Sequence, residues 1–249
     1  MSLQHKKVYF VSDAHLGLPD YQKSLEREKK LVRWLDFVKT DAEEIYFLGD
    51  IFDFWHEWKR AAPQGFTRFL GRLAEVADSG IPLHFFTGNH DIWIYNYLPR
   101  EIGMKLYREP VKKEIRGKKF YLAHGDGLGP NDVGYKLLKK IFTNKFLQWC
   151  FKRLHPDFSL WLGHRWSLSR RMTERKPWFK GVDNEWLCLH SKEILKKEHF
   201  DFFVYGHRHV PINIELAPDI RYINLGDWLI SFTYGVFDGE NFEVKKFEN

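Results

Sequence analysis

Five short apolar runs in this chain each stop at residues that can bind a metal. Val8–Val11 leads into Ser12-Asp13-Ala14-His15, Ile45–Leu48 into Gly49-Asp50-Ile51-Phe52-Asp53, and Leu83–Phe86 into Gly88-Asn89-His90-Asp91. Lys119–Leu122 leads into Ala123-His124-Gly125-Asp126, and Phe202–Tyr205 into Gly206-His207-Arg208-His209. Runs this short, aromatic and β-branched read as strands buried on both faces. Between the first three lie segments with apolar residues at helical spacing. One covers residues 23–39 (Leu25, Leu31, Trp34, Leu35, Val38); the other covers 65–79 (Phe66, Phe69, Leu70, Leu73, Val76), with Gly80 closing it. Strand–helix alternation predicts α/β layers, in which ligands sit beyond the carboxyl ends of the strands. All five polar signals fall at that end.

The flanking chain fits packed sheets. Val111–Ile115 and Lys119–Leu122 enclose Arg116-Gly117, a hairpin signal. After residue 209 come strand-like runs at 212–216, 221–225, 231–237 and 242–247. Residues 127–200 break this pattern, with no strand signal and helices expected over Tyr135–Leu154, 160–176 and 184–197. This stretch holds 15 Lys/Arg against 7 Asp/Glu, so the net +6 of the chain resides there, with half of its 10 tryptophans. The expected organisation is a core of residues 1–126 and 201–249, with 127–200 inserted as a basic, aromatic-rich helical cap. Such a cap could touch anionic headgroups and acyl chains, or be a small subdomain whose aromatics fill its own interior. Composition alone favours the second.

The strand ends collect Asp13, His15, Asp50, Asn89, His124, His207 and His209, three oxygen ligands and four imidazoles. That set is too hard for a thiolate site and too rich in nitrogen for calcium; it suits Mn²⁺, Fe or Zn²⁺. Seven ligands exceed one ion with an open position and fit two ions bridged by a carboxylate. His84, His155, His164, His190 and His199 fit none of these motifs and read as structural or surface residues. Asp126 reads as a group fixing an imidazole.

In order, D-x-H, G-D-x-x-D, G-N-H-D, H-G-D and G-H-x-H resemble the calcineurin-like metallophosphoesterase superfamily. The resemblance implies a four-layer αββα sandwich of two mixed sheets. It also implies that Asp13, His15, Asp50 and His209 hold one metal, and that Asp50 bridges to a second completed by Asn89, His124 and His207. His90 would be the proton donor or phosphate-polarising group, oriented by Asp53 or Asp91. Within the superfamily, Asp13–Leu16, Gly49–Trp55 and His124–Lys136 are most similar to the UDP-2,3-diacylglucosamine pyrophosphatases of lipid A biosynthesis. This implies cleavage to 2,3-diacylglucosamine 1-phosphate and UMP, with manganese the first expectation for the metals. Asp132, Tyr135 and Lys136 are the candidate substrate contacts. One position departs: the best-known members carry arginine where this chain has His90.

Three rival readings share the features: a phosphodiesterase or phosphatase for another nucleotide or lipid phosphoester, a nuclease using the basic cap, and a metal-bound scaffold without activity. Two cysteines, no signal-peptide core and no apolar run of membrane-spanning length predict a cytoplasmic protein, and the resemblance and the basic cap imply one peripheral on the inner face of the cytoplasmic membrane.

Overall fold

Strand β1 (Lys7–Val11) turns Val8 and Phe10 to one side and Tyr9 and Val11 to the other, and all four are buried. A strand covered on both faces needs a partner layer on each, and the chain supplies a second sheet on one side and helices on the other. The computed structural model describes residues 6–130, 133–173 and 178–248. The first sheet adds β2 (Ala42–Leu48), β3 (Leu83–Phe86), β4 (Lys105–Tyr107), β10 (Thr233–Phe237) and β11 (Phe242–Lys246), in the order β11-β10-β1-β2-β3-β4. Strands β1 to β4 run parallel, and β10 and β11 pair antiparallel at one edge. The second sheet has the order β5-β6-β7-β9-β8, from β5 (Val111–Ile115), β6 (Lys118–Ala123), β7 (Phe202–Tyr205), β8 (Pro211–Ala217) and β9 (Ile220–Leu225). Its centre β6-β7-β9 is parallel and both edges are antiparallel.

Alternate residues of both sheets meet in the middle. Val8, Phe10, Tyr46 and Leu48 pack against Phe120, Leu122, Phe202, Val204 and Ile223. The opposite residues of the first sheet (Tyr9, Val11, Phe47, Phe85) lie under helices α1 (Tyr21–Val38) and α2 (Thr67–Asp78), through Trp34, Leu35, Phe69 and Leu73. The outer face of the second sheet (Tyr121, Phe203, Tyr205) is covered by Leu187 and Cys188 of α6 (Trp186–Leu195). The expected αββα layering is present, with parallel carboxyl ends of both sheets at one rim.

Three local features differ from the sequence reading. The single helix expected over Tyr135–Leu154 is two, α3 (Val133–Thr143) and α4 (Lys145–Phe151). Asn144 is extended between them, and its side chain accepts from the N–H groups of Phe146 and Leu147. Asparagine is a strong N-cap, and here it overrides the apolar stripe that runs through it. Strand β4 carries no periodic signal; it is three residues long and follows a helical turn at Leu98–Ile102. Among the described aromatics of the cap, Phe146, Trp149 and Trp161 fill no interior, being 68%, 53% and 53% exposed, whereas Phe142 and Phe151 pack against Phe54 and Trp93 of the core. Helix α5 (Pro156–Thr173) completes the cap. Among the described residues, no helix is long and apolar enough to cross a membrane.

Helix α2 begins at Phe66, which has a left-handed backbone and no side-chain cap. Its first amides are served from elsewhere: the buried Glu28 of α1 accepts from Arg68 N at 2.8 Å and Phe69 N at 3.1 Å. One carboxylate thus caps α2 and locks the two helices together. Replacing Glu28 by Ala should lower stability by about 1–2 kcal/mol, read as an earlier urea midpoint with unchanged slope. An unchanged midpoint would refute the capping role.

Candidate dinuclear metal centre

Strands β1, β2 and β7 deliver their residues by the same local device, a left-handed turn after the strand. Asp13, His15, Asp50, His207 and His209 all have left-handed backbones, with φ between 43° and 66°. Such φ values are costly for residues with a Cβ, and they cluster where a structure holds a side chain in a required direction. The turns are knitted to one another. Asp13 N donates to Gly49 O at 3.0 Å, His15 N to Asp50 O at 2.9 Å, and Gly206 N to His124 O at 3.0 Å. Carboxylates join in: Asp13 Oδ2 accepts from His207 N at 2.9 Å, and Asp50 Oδ1 from His90 N at 2.8 Å. The turns approach so closely that a Cβ on Gly88 would overlap Asp50 Oδ1, and one on Gly206 would come within 2.6 Å of Asp13 Oδ2.

The side chains converge in two groups that share Asp50. In the first, His209 Nε2 lies 3.2 Å from Asp13 Oδ1 and 3.3 Å from His15 Nε2, and His15 Nε2 lies 3.8 Å from Asp50 Oδ2. In the second, His124 Nε2 lies 3.3 Å from Asp50 Oδ2 and 3.2 Å from Asn89 Oδ1, with the ring of His207 alongside. Asp13-His15-His209 and Asp50-His124-His207 each bring potential ligand atoms within 4.8 Å of one another. Asp13 Oδ1 is buried and accepts no hydrogen bond among the described residues, although two imidazole nitrogens face it. Nitrogens and oxygens that crowd a common point, with one buried carboxylate oxygen left without a donor, suit a cation between them, and the N/O donor set suits a borderline transition metal. The His/Asp clusters therefore fit a dinuclear metal site.

The outer nitrogens face oxygens. His124 Nδ1 donates to Leu48 O at 2.7 Å, which turns Nε2 inward as the nitrogen that would ligate a metal once its proton is lost. His15 Nδ1 lies 3.6 Å from Asp53 Oδ1, and His209 Nδ1 3.5 Å from Asp227 Oδ2. Asp227 was not singled out in the sequence. It follows β9 in Asn224-Leu225-Gly226-Asp227, the same strand-then-Gly-Asp form as Gly49-Asp50, and that form is the signal that could have found it. Burial alone would raise the pKa of Asp50, but His124, His90 and His15 hold it well below the usual carboxylate range. Burial disfavours charge on His124 and His209 too; against it, Asp50 pushes His124 up to about 10, and Asp13 and Asp227 push His209 up to about 9. Burial and the neighbouring His124 push His207 down to about 4.

The remaining expected residues are placed as follows. His90 stands edge-on to His15, ring centroids 4.8 Å apart, and its Nδ1 donates to Asp53 O at 2.9 Å. Asp91 does not reach His90. Its carboxylate accepts from Gly88 N at 2.7 Å and Ile51 N at 2.9 Å, tying the β3 turn to the β2 turn. Asp126 fixes no imidazole directly; it accepts from Tyr135 Oη at 2.8 Å and Lys139 Nζ at 2.9 Å of α3. Tyr135 is buried with its ring centroid 6.4 Å from that of His207, and Lys136 Nζ is turned to Gly129 O. Asp132 lies outside the described residues. His164, read as structural, has its Nδ1 3.5 Å from Asp53 Oδ2.

Residues 6–211 match the family described as calcineurin-like phosphoesterase. A protein of Porphyromonas gingivalis named UDP-2,3-diacylglucosamine hydrolase is 35% identical over 257 residues, covering 98% of each chain. A protein of that name from Actinobacillus succinogenes is 26% identical, covering 89% of this chain and 92% of its own. Another from Aeromonas hydrophila is 28% identical, covering 88% and 89%.

Two expectations follow from the geometry. Asp227→Asn keeps the acceptor that serves Leu229, Ile230 and Ser231 N–H groups but removes the charge behind His209. It should weaken metal binding by roughly tenfold in a calorimetric titration, with little change in thermal stability of the metal-free protein. Metal uptake should also displace protons, because His124 and His209 are raised above neutrality in the metal-free chain. Affinity should therefore fall as pH is lowered, and the binding heat should vary with the ionisation enthalpy of the buffer. Heats independent of buffer would contradict the protonated pairs.

Proposed function

Because the chain belongs to the calcineurin-like phosphoesterase family, we propose that it hydrolyses the pyrophosphate of UDP-2,3-diacylglucosamine, releasing 2,3-diacylglucosamine 1-phosphate and UMP. The observation that carries this reading is the 35% identity along 98% of both chains to a protein named for that substrate.

Asp13, His15, Asp50 and His209 would hold one divalent ion, and Asp50, Asn89, His124 and His207 the other, with manganese the first candidate. Bound there, such ions supply Lewis acidity toward phosphoryl oxygens and ease the deprotonation of water. The chain contributes the rest. Asp50 and Asp13 set the charge of the rim, and the backbone bonds among the turns keep the ligand directions fixed before substrate arrives. His90 has its Nδ1 committed to the Asp53 carbonyl, so Nε2 is the nitrogen that would meet a phosphoryl or leaving-group oxygen. Water attacks the α-phosphorus, and the lipid monophosphate leaves.

The cap supplies a second kind of surface. Phe146, Trp149, Phe158 and Trp161 are exposed, Arg153 lies 4.7 Å over the Trp149 ring, and Arg165 lies 5.5 Å over Trp161. Aromatic faces interleaved with cations suit acyl chains and anionic headgroups, so the protein works as a peripheral enzyme on the membrane surface that carries its substrate.

The test is turnover of UDP-2,3-diacylglucosamine with Mn²⁺ in ¹⁸O-labelled water. Wild type should release UMP carrying the label; Asp50→Ala should lose activity together with metal, and His90→Ala should fall by about 10²-fold or more with metal retained. Wild type that cleaves a generic phosphodiester but not the acylated nucleotide would overturn the substrate. For the membrane surface, Trp149→Ser combined with Trp161→Ser should reduce sedimentation with phosphatidylglycerol vesicles while leaving hydrolysis of a small diester intact. Equal sedimentation of variant and wild type would refute it.

A further inference from the structure

Helix α5 belongs to the cap, yet it reaches the loop that holds His90. Ser167 is fully buried, and its hydroxyl donates to Asp53 Oδ1 at 2.7 Å. The same Oγ lies 3.5 Å from His90 Nδ1. One turn earlier, on the same helix face, His164 places Nδ1 3.5 Å from the other carboxylate oxygen, Asp53 Oδ2. Beside it, Gly163 presses on the next residue of the loop: a Cβ there would lie 2.5 Å from the Phe54 ring. Gly163, His164 and Ser167 thus grip Asp53 and Phe54, and Asp53 is the residue whose carbonyl accepts from His90 Nδ1 at 2.9 Å.

A cap that only covered an apolar slot would have no use for this seat. Burying a hydroxyl against a carboxylate is costly unless the two are paired, and here the pairing falls on the carboxylate that faces His90 Nδ1 at 3.5 Å and His15 Nδ1 at 3.6 Å. Removing the hydroxyl takes a donor from that oxygen and so alters the contact it makes with both rings. We propose that Ser167 is a positioning residue for His90, seated by Gly163 and His164, so that docking of helix α5 and alignment of the His90 ring are one event. This rests on the role given to His90 above. It explains why a segment far along the chain from the strand-end motifs carries a buried polar face.

The test compares wild type with Ser167→Ala, Ser167→Thr and Gly163→Ala on two substrates, UDP-2,3-diacylglucosamine and bis(4-nitrophenyl) phosphate, which has no acyl chains. Metal content is measured in parallel, and the His90 ring nitrogens are followed by NMR in histidine-labelled protein. Ser167→Ala should lower kcat by roughly tenfold on both substrates, the scale of one hydrogen bond to a charged acceptor. KM and metal content should stay put and the His90 signals should move. Ser167→Thr, which keeps the hydroxyl, should recover most of the loss. Gly163→Ala keeps every polar group but lifts α5 from Phe54, and should reproduce the kcat loss; it also serves if Ser167→Ala fails to fold. A change in KM alone, a loss confined to the acylated substrate, a Thr variant as poor as Ala, or an unaffected Gly163→Ala would each overturn the proposal. If the small diester responds as described while the acylated nucleotide is not cleaved by wild type, the substrate assignment fails and the positioning role stands.

Discussion

A carboxylate buried at the end of a central strand is expensive unless opposite charge comes to it. Asp50 is 1% exposed at the end of β2, in the middle of the first sheet. The rim is arranged around it. His15 reaches it from the neighbouring strand, His124 from the other sheet, and the amide of His90 from β3. In the metal-free chain His124, which Asp50 pushes up to about 10, balances its charge; an ion bound there would take the place of that proton. The clustering of histidines at four of the five strand ends is thus the counterpart of carboxylates buried at that rim, Asp50 at their centre.

That arrangement shapes the backbone around it. Left-handed turns at Asp13, His15, Asp50, His207 and His209 are unfavourable one by one. They persist because amide–carbonyl bonds between adjacent turns and from carboxylates to amides over-determine each conformation. Asp91, which a reading of the motif places beside His90, serves this lattice instead, joining the β2 and β3 turns through two amides.

Every strand but β4, and the helices α1 and α2, were legible because their periodicity is set by burial, which few residue patterns can satisfy. The seven candidate ligands were legible for a related reason: each follows directly on a buried run, so sequence order alone puts it at the rim. What lay hidden depends on side chains that meet across long stretches of sequence. Asp227 sits behind His209, Glu28 caps a helix 40 residues away, and Ser167 reaches Asp53 from the cap; no local pattern encodes such pairs. The cap was misread for a different reason. A helical stripe of Leu, Phe and Trp looks alike whether it faces a protein interior or another apolar phase, and Asn144 shows that one polar residue can divide such a stripe into two helices.

The two sheets contribute to the centre from opposite sides of the hydrophobic seam. Asp13, His15, Asp50 and Asn89 come from the first sheet, and His124, His207 and His209 from the second. Packing across that seam is apolar and tolerates small sliding; coordination bonds do not. With ions bound as proposed, the centre would work as a gauge as well as a reagent. It would fix the spacing and register of the two sheets to within the tolerance of a ligand bond, and a sequence change that thickens the seam, however far from the rim, would be felt first as a mismatch between the two halves of the ligand set.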